Sequence, residues 1–426
     1  MNMSNFLYKD NKKLILQCLL VGLLIIAGLR VPQLNLVALF VAFVCIWASG
    51  KEDILCLTAF LVSFSPIFKI TLGGFTLFNV IIIVGVLRGL ILSKFCLRRS
   101  TSIPLIILTF YALVTGFRNG ILDVFTVLCY LFLVELLYSP ETISMHKLVT
   151  FTTLGIIVTS GVALLKDFFP RLAQIMNQAT IRLSAGNYYY RFAGIESNPN
   201  YYTLMLSVCI AALLVLFIEG RNKKIDYLYV GTLIFFGMLT VSQSFIATLA
   251  ICMIIVFLTI GSSGNRKAPV TIIVFILVIT IAFAVLGDDV VNTIQLRLER
   301  TSSADSLAEV TTGRTDLQLD YLKYILNNVG VLLFGRGIGA TILPVGASHN
   351  FYIDIVYHLG LVGGLLYLGY LYTAFFENLG VGKKKVYYYL PFFCFLIRAF
   401  AINLIARENL IFVLLICSTT LFDKIE

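Results

Sequence analysis

The chain has 426 residues, 59% of them hydrophobic and 13% charged, with a formal net charge of +10. A mean hydropathy of +0.95 is more than a water-soluble domain of this length can hide. The basic residues are scattered over many short loops instead of forming a patch, which argues against a nucleic-acid partner.

Apolar runs of about 15–20 residues recur from end to end, as helices crossing a ~30 Å hydrocarbon core require. Backbone amides in lipid must pair internally, so segments this apolar are helices and not barrel strands. In chain order the candidate spans are 14–29, 34–49, 54–68, 75–92, 103–117, 120–138, 147–166, 200–218, 226–242, 244–260, 269–287, 351–376, 386–401 and 408–422. The first ends in Arg30-Val31-Pro32-Gln33, without the small-residue pattern of a cleaved signal. Spans 226–242 and 244–260 meet at the polar run Ser242-Gln243-Ser244, which suits one broken hairpin. That run offers either a sugar contact or a plain turn. The whole, 1–426, reads as one all-α membrane domain of twelve to fourteen transmembrane helices, with two long polar loops at 167–199 and 288–350.

Orientation follows from basic residues in short loops. With the N-terminus inside and the spans alternating, 17 basic residues fall on the inner side, among them Lys12, Lys13, Arg98, Arg99, Lys147 and Lys383 to Lys385. The short outer loops hold 4: Arg30, Lys69, Arg118 and Arg407. Both termini are therefore expected inside and both long loops outside. All nine cysteines lie in spans or at the inner edge, so no disulfide framework is expected. The three histidines are far apart, and neither they nor the cysteines have metal-ligand spacing, so no metal or other cofactor is expected.

Chemistry is expected in the two long loops. The first ends Arg191-Phe192-Ala193-Gly194-Ile195-Glu196-Ser197-Asn198-Pro199-Asn200. Asn198 is a good N-cap and Pro199 suits the first helical position. The free amides of that helix end then lie beside Arg191, whose planar fork matches phosphate oxygens. The second loop repeats the arrangement. Arg314 precedes Thr315 and Gln318, which have capping-box spacing. Leu319, Leu322 and Leu326 mark the apolar face of an amphipathic helix lying in the outer interface. Arg297 and Arg300 are read as solvated loop charges with an auxiliary role as the alternative. His349 stands at the mouth of span 351–376, where the helix dipole disfavours imidazolium and leaves a neutral ring able to act as general base. The plainer alternative is a capping histidine. His358 lies deeper and is read as structural or cavity-lining. Arg88 and Arg398 are charges within spans, where a charge faces a cavity or partner, and Arg88 has the alternative of snorkelling to the inner edge. Gly335-Arg336-Gly337-Ile338-Gly339 is read as a tight turn, since no strand precedes it.

Taken in order, Arg191-x-x-Gly194, Asn198-Pro199-Asn200, Gly313-Arg314, Gly337-x-Gly339, His349-Asn350 and Gly360-Leu361-x-Gly363-Gly364 resemble the O-antigen polymerase (Wzy) and O-antigen ligase (WaaL) superfamily. The match covers residues 191–364; the amino-terminal half is similar only in hydropathy. The resemblance implies a GT-C-like, metal-independent glycosyltransferase of the bacterial cytoplasmic membrane, acting at its outer face on undecaprenyl diphosphate-linked oligosaccharide. It implies His349 as base and Arg191 and Arg314 as diphosphate ligands. Asn198, Asn200, Gln243, Asn350 and Tyr352 are the further substrate-binding candidates. Membrane lipid and a chain-length regulator protein are the expected partners. The polymerase extends a lipid-linked repeat; the alternatives are a ligase acting on lipid A-core and a lipid-linked oligosaccharide flippase.

Overall fold

The computed structural model describes residues 11–68, 76–97, 99–117, 120–139, 143–170, 172, 180–184, 187–196, 198–263, 295, 314–376, 385–405 and 407–422. The candidate span 269–287 and the arginines Arg297 and Arg300 lie outside these residues. The first half holds α1 (Lys12–Gly28), α2 (Leu34–Trp47), α3 (Lys51–Val62), α4 (Ser65–Phe68), α5 (Leu77–Leu92), α6 (Arg99–Gly116), α7 (Ile121–Leu137) and α8 (Met145–Leu164). A short antiparallel hairpin follows, β1 (Thr180–Ser184) with β2 (Asn187–Tyr190). Then come α9 (Pro199–Ile218), α10 (Lys224–Leu239), α11 (Gln243–Ser263), α12 (Arg314–Asn327), α13 (Val329–Phe334), α14 (Phe351–Phe375), α15 (Leu390–Ala399) and α16 (Glu408–Phe422).

Every candidate span within the described residues falls on helix. Span 54–68 is divided into α3 and α4, because Pro66 cannot donate to the preceding turn. Span 386–401 opens as a 3-10 turn, Val386–Tyr389, before α15. Among the described residues three helices, α8, α9 and α14, are long and apolar enough to cross a membrane. The exterior suits lipid. On α6, Ile103, Ile106, Phe110 and Val114 are 63%, 57%, 71% and 62% exposed and recur every three or four residues, forming one continuous apolar stripe.

Helix α9 is the central mast, with all of its residues buried. It packs against α8, α10, α11, α15 and α16. Asn200 and Thr203 near its start meet Arg398 at the end of α15, and Glu219 just past its end meets Tyr387 just ahead of α15, so the two run antiparallel. Between helices this apolar, close fit matters as well as burial. Gly155 of α8 illustrates the fit: a Cβ there would lie 2.3 Å from the Phe60 carbonyl oxygen of α3. Hydroxyls inside the bundle are satisfied locally, as where Thr152 and Ser160 donate to the Leu148 and Ile156 carbonyls one turn back.

Helix α14 is broken at Gly360, which takes φ 65° and ψ −175°. The break frees carbonyls, and the chain before α14 meets them. Arg336 and Gly337 donate their backbone N–H groups to the Tyr357 and His358 carbonyls, each at 2.8 Å. The Tyr111 hydroxyl of α6 donates to the Leu359 carbonyl at 2.6 Å. The glycines of the Gly335–Gly339 run thus make a turn and also dock on the broken helix, a role the sequence did not announce. A Cβ on Gly335 would sit 2.4 Å from the His358 carbonyl oxygen.

Candidate functional site

Helices α9, α11 and α14 begin near one another at the end of the mast marked by Asn200. Asn198 caps α9 as expected: its Oδ1 accepts from the Asn200 N–H at 2.8 Å, and Pro199 opens the first turn. Asn350 caps α14, accepting from Tyr352 N–H at 3.0 Å and Ile353 N–H at 3.3 Å. The side-chain oxygens of these two asparagines are therefore engaged in holding the helix ends. The Tyr352 hydroxyl likewise donates to the Leu396 carbonyl at 3.3 Å, and Asn200 is buried. Gln243 is exposed at the start of α11.

Arg191 is half-buried, and its Nε donates to the Thr240 carbonyl at 2.9 Å. Thr240 ends α10 at the turn into α11. That turn passes through Val241 at φ 48°, an uncommon conformation for a β-branched residue. Ser242 then donates to Asn200 Oδ1 at 3.5 Å and lies 3.1 Å from the Ser244 hydroxyl. The Ser242–Ser244 run is thus tied to the first turn of α9.

Arg314 is the first described residue of α12 and already lies in the helix, so Thr315 is within it and not ahead of it as the capping-box spacing suggested. The helix packs through Tyr321 and Ile325, which are buried, whereas Leu319, Leu322 and Leu326 are exposed. Tyr321 sets the helix against α14: its ring meets Tyr357 edge-on at 4.9 Å, and its hydroxyl donates to the Gly346 carbonyl at 3.0 Å. Arg314 is thereby brought near the loop carrying His349. Burial draws the guanidinium of Arg314 below its usual value. His349 is half-buried at φ 50°. Its ring is held below the ordinary histidine value by burial first and by the Arg314 charge second, against an opposing pull from Asp354. Both effects keep the imidazole neutral, with a free lone pair, while making it a weaker base.

Arg398 is the residue whose importance sequence reasoning only touched, as a costly charge within a span. It is 0% exposed. It donates to the Asn200 carbonyl at 2.8 Å and to the hydroxyls of Thr203 and Ser244. Its Nε is buried without a partner among the described residues. Arg314 stands close enough for its charge to be felt there. Arg407 is a further cation at this end; its guanidinium lies 4.7 Å from the Tyr201 ring centroid, with Glu196 and Glu408 near enough to interact.

His358 does not join this group. It is buried, bonded through Nδ1 to the Gly337 carbonyl at 3.0 Å and paired through Nε2 with Asp354 at 3.3 Å. Asn403 donates to Asp354 at 3.1 Å, so the pair belongs to a network bracing the break in α14. Among the described residues no three histidine, cysteine, aspartate or glutamate side chains form a metal-ligand group. Arg314, His349 and Arg398 are thus linked by charge, and Arg191 and Arg398 are linked through Thr240, Ser242, Ser244 and Asn200. Comparison with family models, curated proteins and solved structures gives no match.

Proposed function

We propose that the chain is a polytopic, GT-C-like glycosyltransferase that polymerises lipid-linked polysaccharide repeats at the outer face of a bacterial cytoplasmic membrane. The observation that carries this reading is the fully buried Arg398 at the first turns of α9 and α11, with the charge of Arg314 felt both there and at His349. The ordered motifs that resemble those of the polymerase and ligase superfamily support it, as does the excess of basic residues in the opposite short loops.

In this reading the donor is a glycan on undecaprenyl diphosphate. Arg191 and Arg314 hold the diphosphate, and His349 accepts the proton of the acceptor hydroxyl. The hydroxyl oxygen bonds to the anomeric carbon while the bond from that carbon to the diphosphate oxygen breaks. The leaving diphosphate keeps the electron pair, and the arginines and helix N-termini stabilise its charge. The apolar flank of the bundle receives the polyprenyl chain. The two long polar loops lie at one face in this topology, which favours transfer chemistry over transport, since transport calls for polar groups near mid-membrane.

The test is incubation of the purified protein with one lipid-linked repeat, chelator and no other acceptor. A ladder of longer lipid-linked glycans is the expected result. Product only after lipid A-core is added indicates a ligase, and lipid that merely changes leaflet indicates a flippase; either outcome overturns the polymerase reading.

A further inference from the structure

A guanidinium with no exposure at all needs a reason to be there, because desolvating a charge is costly unless it is paired. Arg398 has neutral acceptors: the Asn200 carbonyl at 2.8 Å and the Thr203 and Ser244 hydroxyls. No described carboxylate forms an ion pair with it, and the cation felt there is Arg314. A bundle that needed only a helix staple has a less demanding choice in a neutral amide. A planar cation, by contrast, reaches two helices at once from a third and adds positive potential to their N-termini.

We propose that Arg398 is the positioning residue of the anion site, fastening the first turns of α9 and α11 to α15 so that Arg191 and the helix N-termini converge on one diphosphate. The route is traceable. Arg398 holds Ser244, Ser244 lies beside Ser242, and Ser242 bonds Asn200. The same turn presents the Thr240 carbonyl that receives Arg191 at 2.9 Å. Arg398 itself stays buried and acts on the ligand through these groups and through its charge. The inference rests on the donor reading given above, since it assigns the anion as a diphosphate.

The experiment measures binding of undecaprenyl diphosphate to the purified full-length protein in detergent, together with melting of the unliganded protein. Wild type is compared with Arg398→Lys, Ser244→Ala, Arg191→Lys and the Ser244→Ala, Arg191→Lys double variant. Arg398→Lys cannot span two helices and is expected to lose about tenfold or more in affinity, as loss of a charged hydrogen bond implies. Ser244→Ala is expected to weaken binding while melting like wild type. Added to Arg191→Lys it should cost little more, because both act through one turn. If Arg398→Lys does not fold, the Ser244→Ala cycle decides. Unchanged affinity in Arg398→Lys and Ser244→Ala, or losses that multiply in the double variant, overturns this inference alone. A wild type that binds no diphosphate overturns the donor reading with it.

Discussion

The two ends of α9, about 30 Å apart by helix rise, treat charge in opposite ways. Beyond its C-terminal end, Lys147 sits between Glu52 at 2.9 Å and Asp53 at 2.7 Å, and His146 pairs with Asp226 at 3.2 Å. Those contacts join α3, α8 and α10, and the charges serve the fold. At the N-terminal end, Arg398 has carbonyl and hydroxyl partners and no acid among the described residues. Arg407 at the same end lies against Tyr201 with Glu196 and Glu408 nearby. A buried cation held only by neutral groups, as Arg398 is, is unfavourable to an empty bundle and favourable to one holding an anion. On the proposed function, the contrast separates a structural end from a binding end.

The contrast would be broken most sharply at His349. His349→Ala is expected to keep donor affinity and lose on the order of 10²–10⁴-fold in transfer rate. A variant as fast as wild type removes the base from the mechanism. Next in size is Gly335→Ala. A Cβ 2.4 Å from the His358 carbonyl, at φ 71°, should cost about 1–3 kcal/mol of stability by undocking the Arg336–Gly337 backbone from α14. Thermal unfolding measures it, and an unchanged melting temperature would show that the docking is dispensable.

Arg314→Gln tests the electrostatics. Arg314 holds His349 low, so removing its charge should raise the pKa of the ring. The ring then becomes protonated, and inactive as a base, at a higher pH on acidification. The acid limb of kcat/KM should move up in pH, and a limb that stays or moves down contradicts the assignment. The smallest effect belongs to the paired end. Lys147→Ala removes partly exposed ion pairs and should cost about 1 kcal/mol or less, with donor affinity unchanged. Loss of donor binding there would erase the distinction between the ends.

Much of the helix layout was legible because the helices are written as apolar runs, three of them long enough to cross a membrane among the described residues. The Asn198-Pro199 start of α9 was legible too, since capping is local. The start of α12 was misplaced: Arg314 already lies in the helix, so Thr315 and Gln318 are interior. Its packing face was hidden because Tyr321 is buried through a ring contact with Tyr357 and a hydrogen bond to Gly346, neither of which any local pattern reports. The break at Gly360 and its docking on Arg336 and Gly337 are non-local for the same reason. Arg398 was visible only as a costly charge in a span. Its partners stand 154 to 198 positions away in the chain, and only folding brings them together.

On the proposed function, the N-terminal end of α9 binds a diphosphate. The most direct test compares thermal stabilisation of the wild-type protein by undecaprenyl diphosphate and by uncharged undecaprenol. Stabilisation by the diphosphate, much reduced in Arg191→Lys and in Arg314→Gln, with little from the alcohol, is the expected result. Equal stabilisation by both lipids, undiminished in those variants, would show that the protein recognises the tail alone and would contradict it.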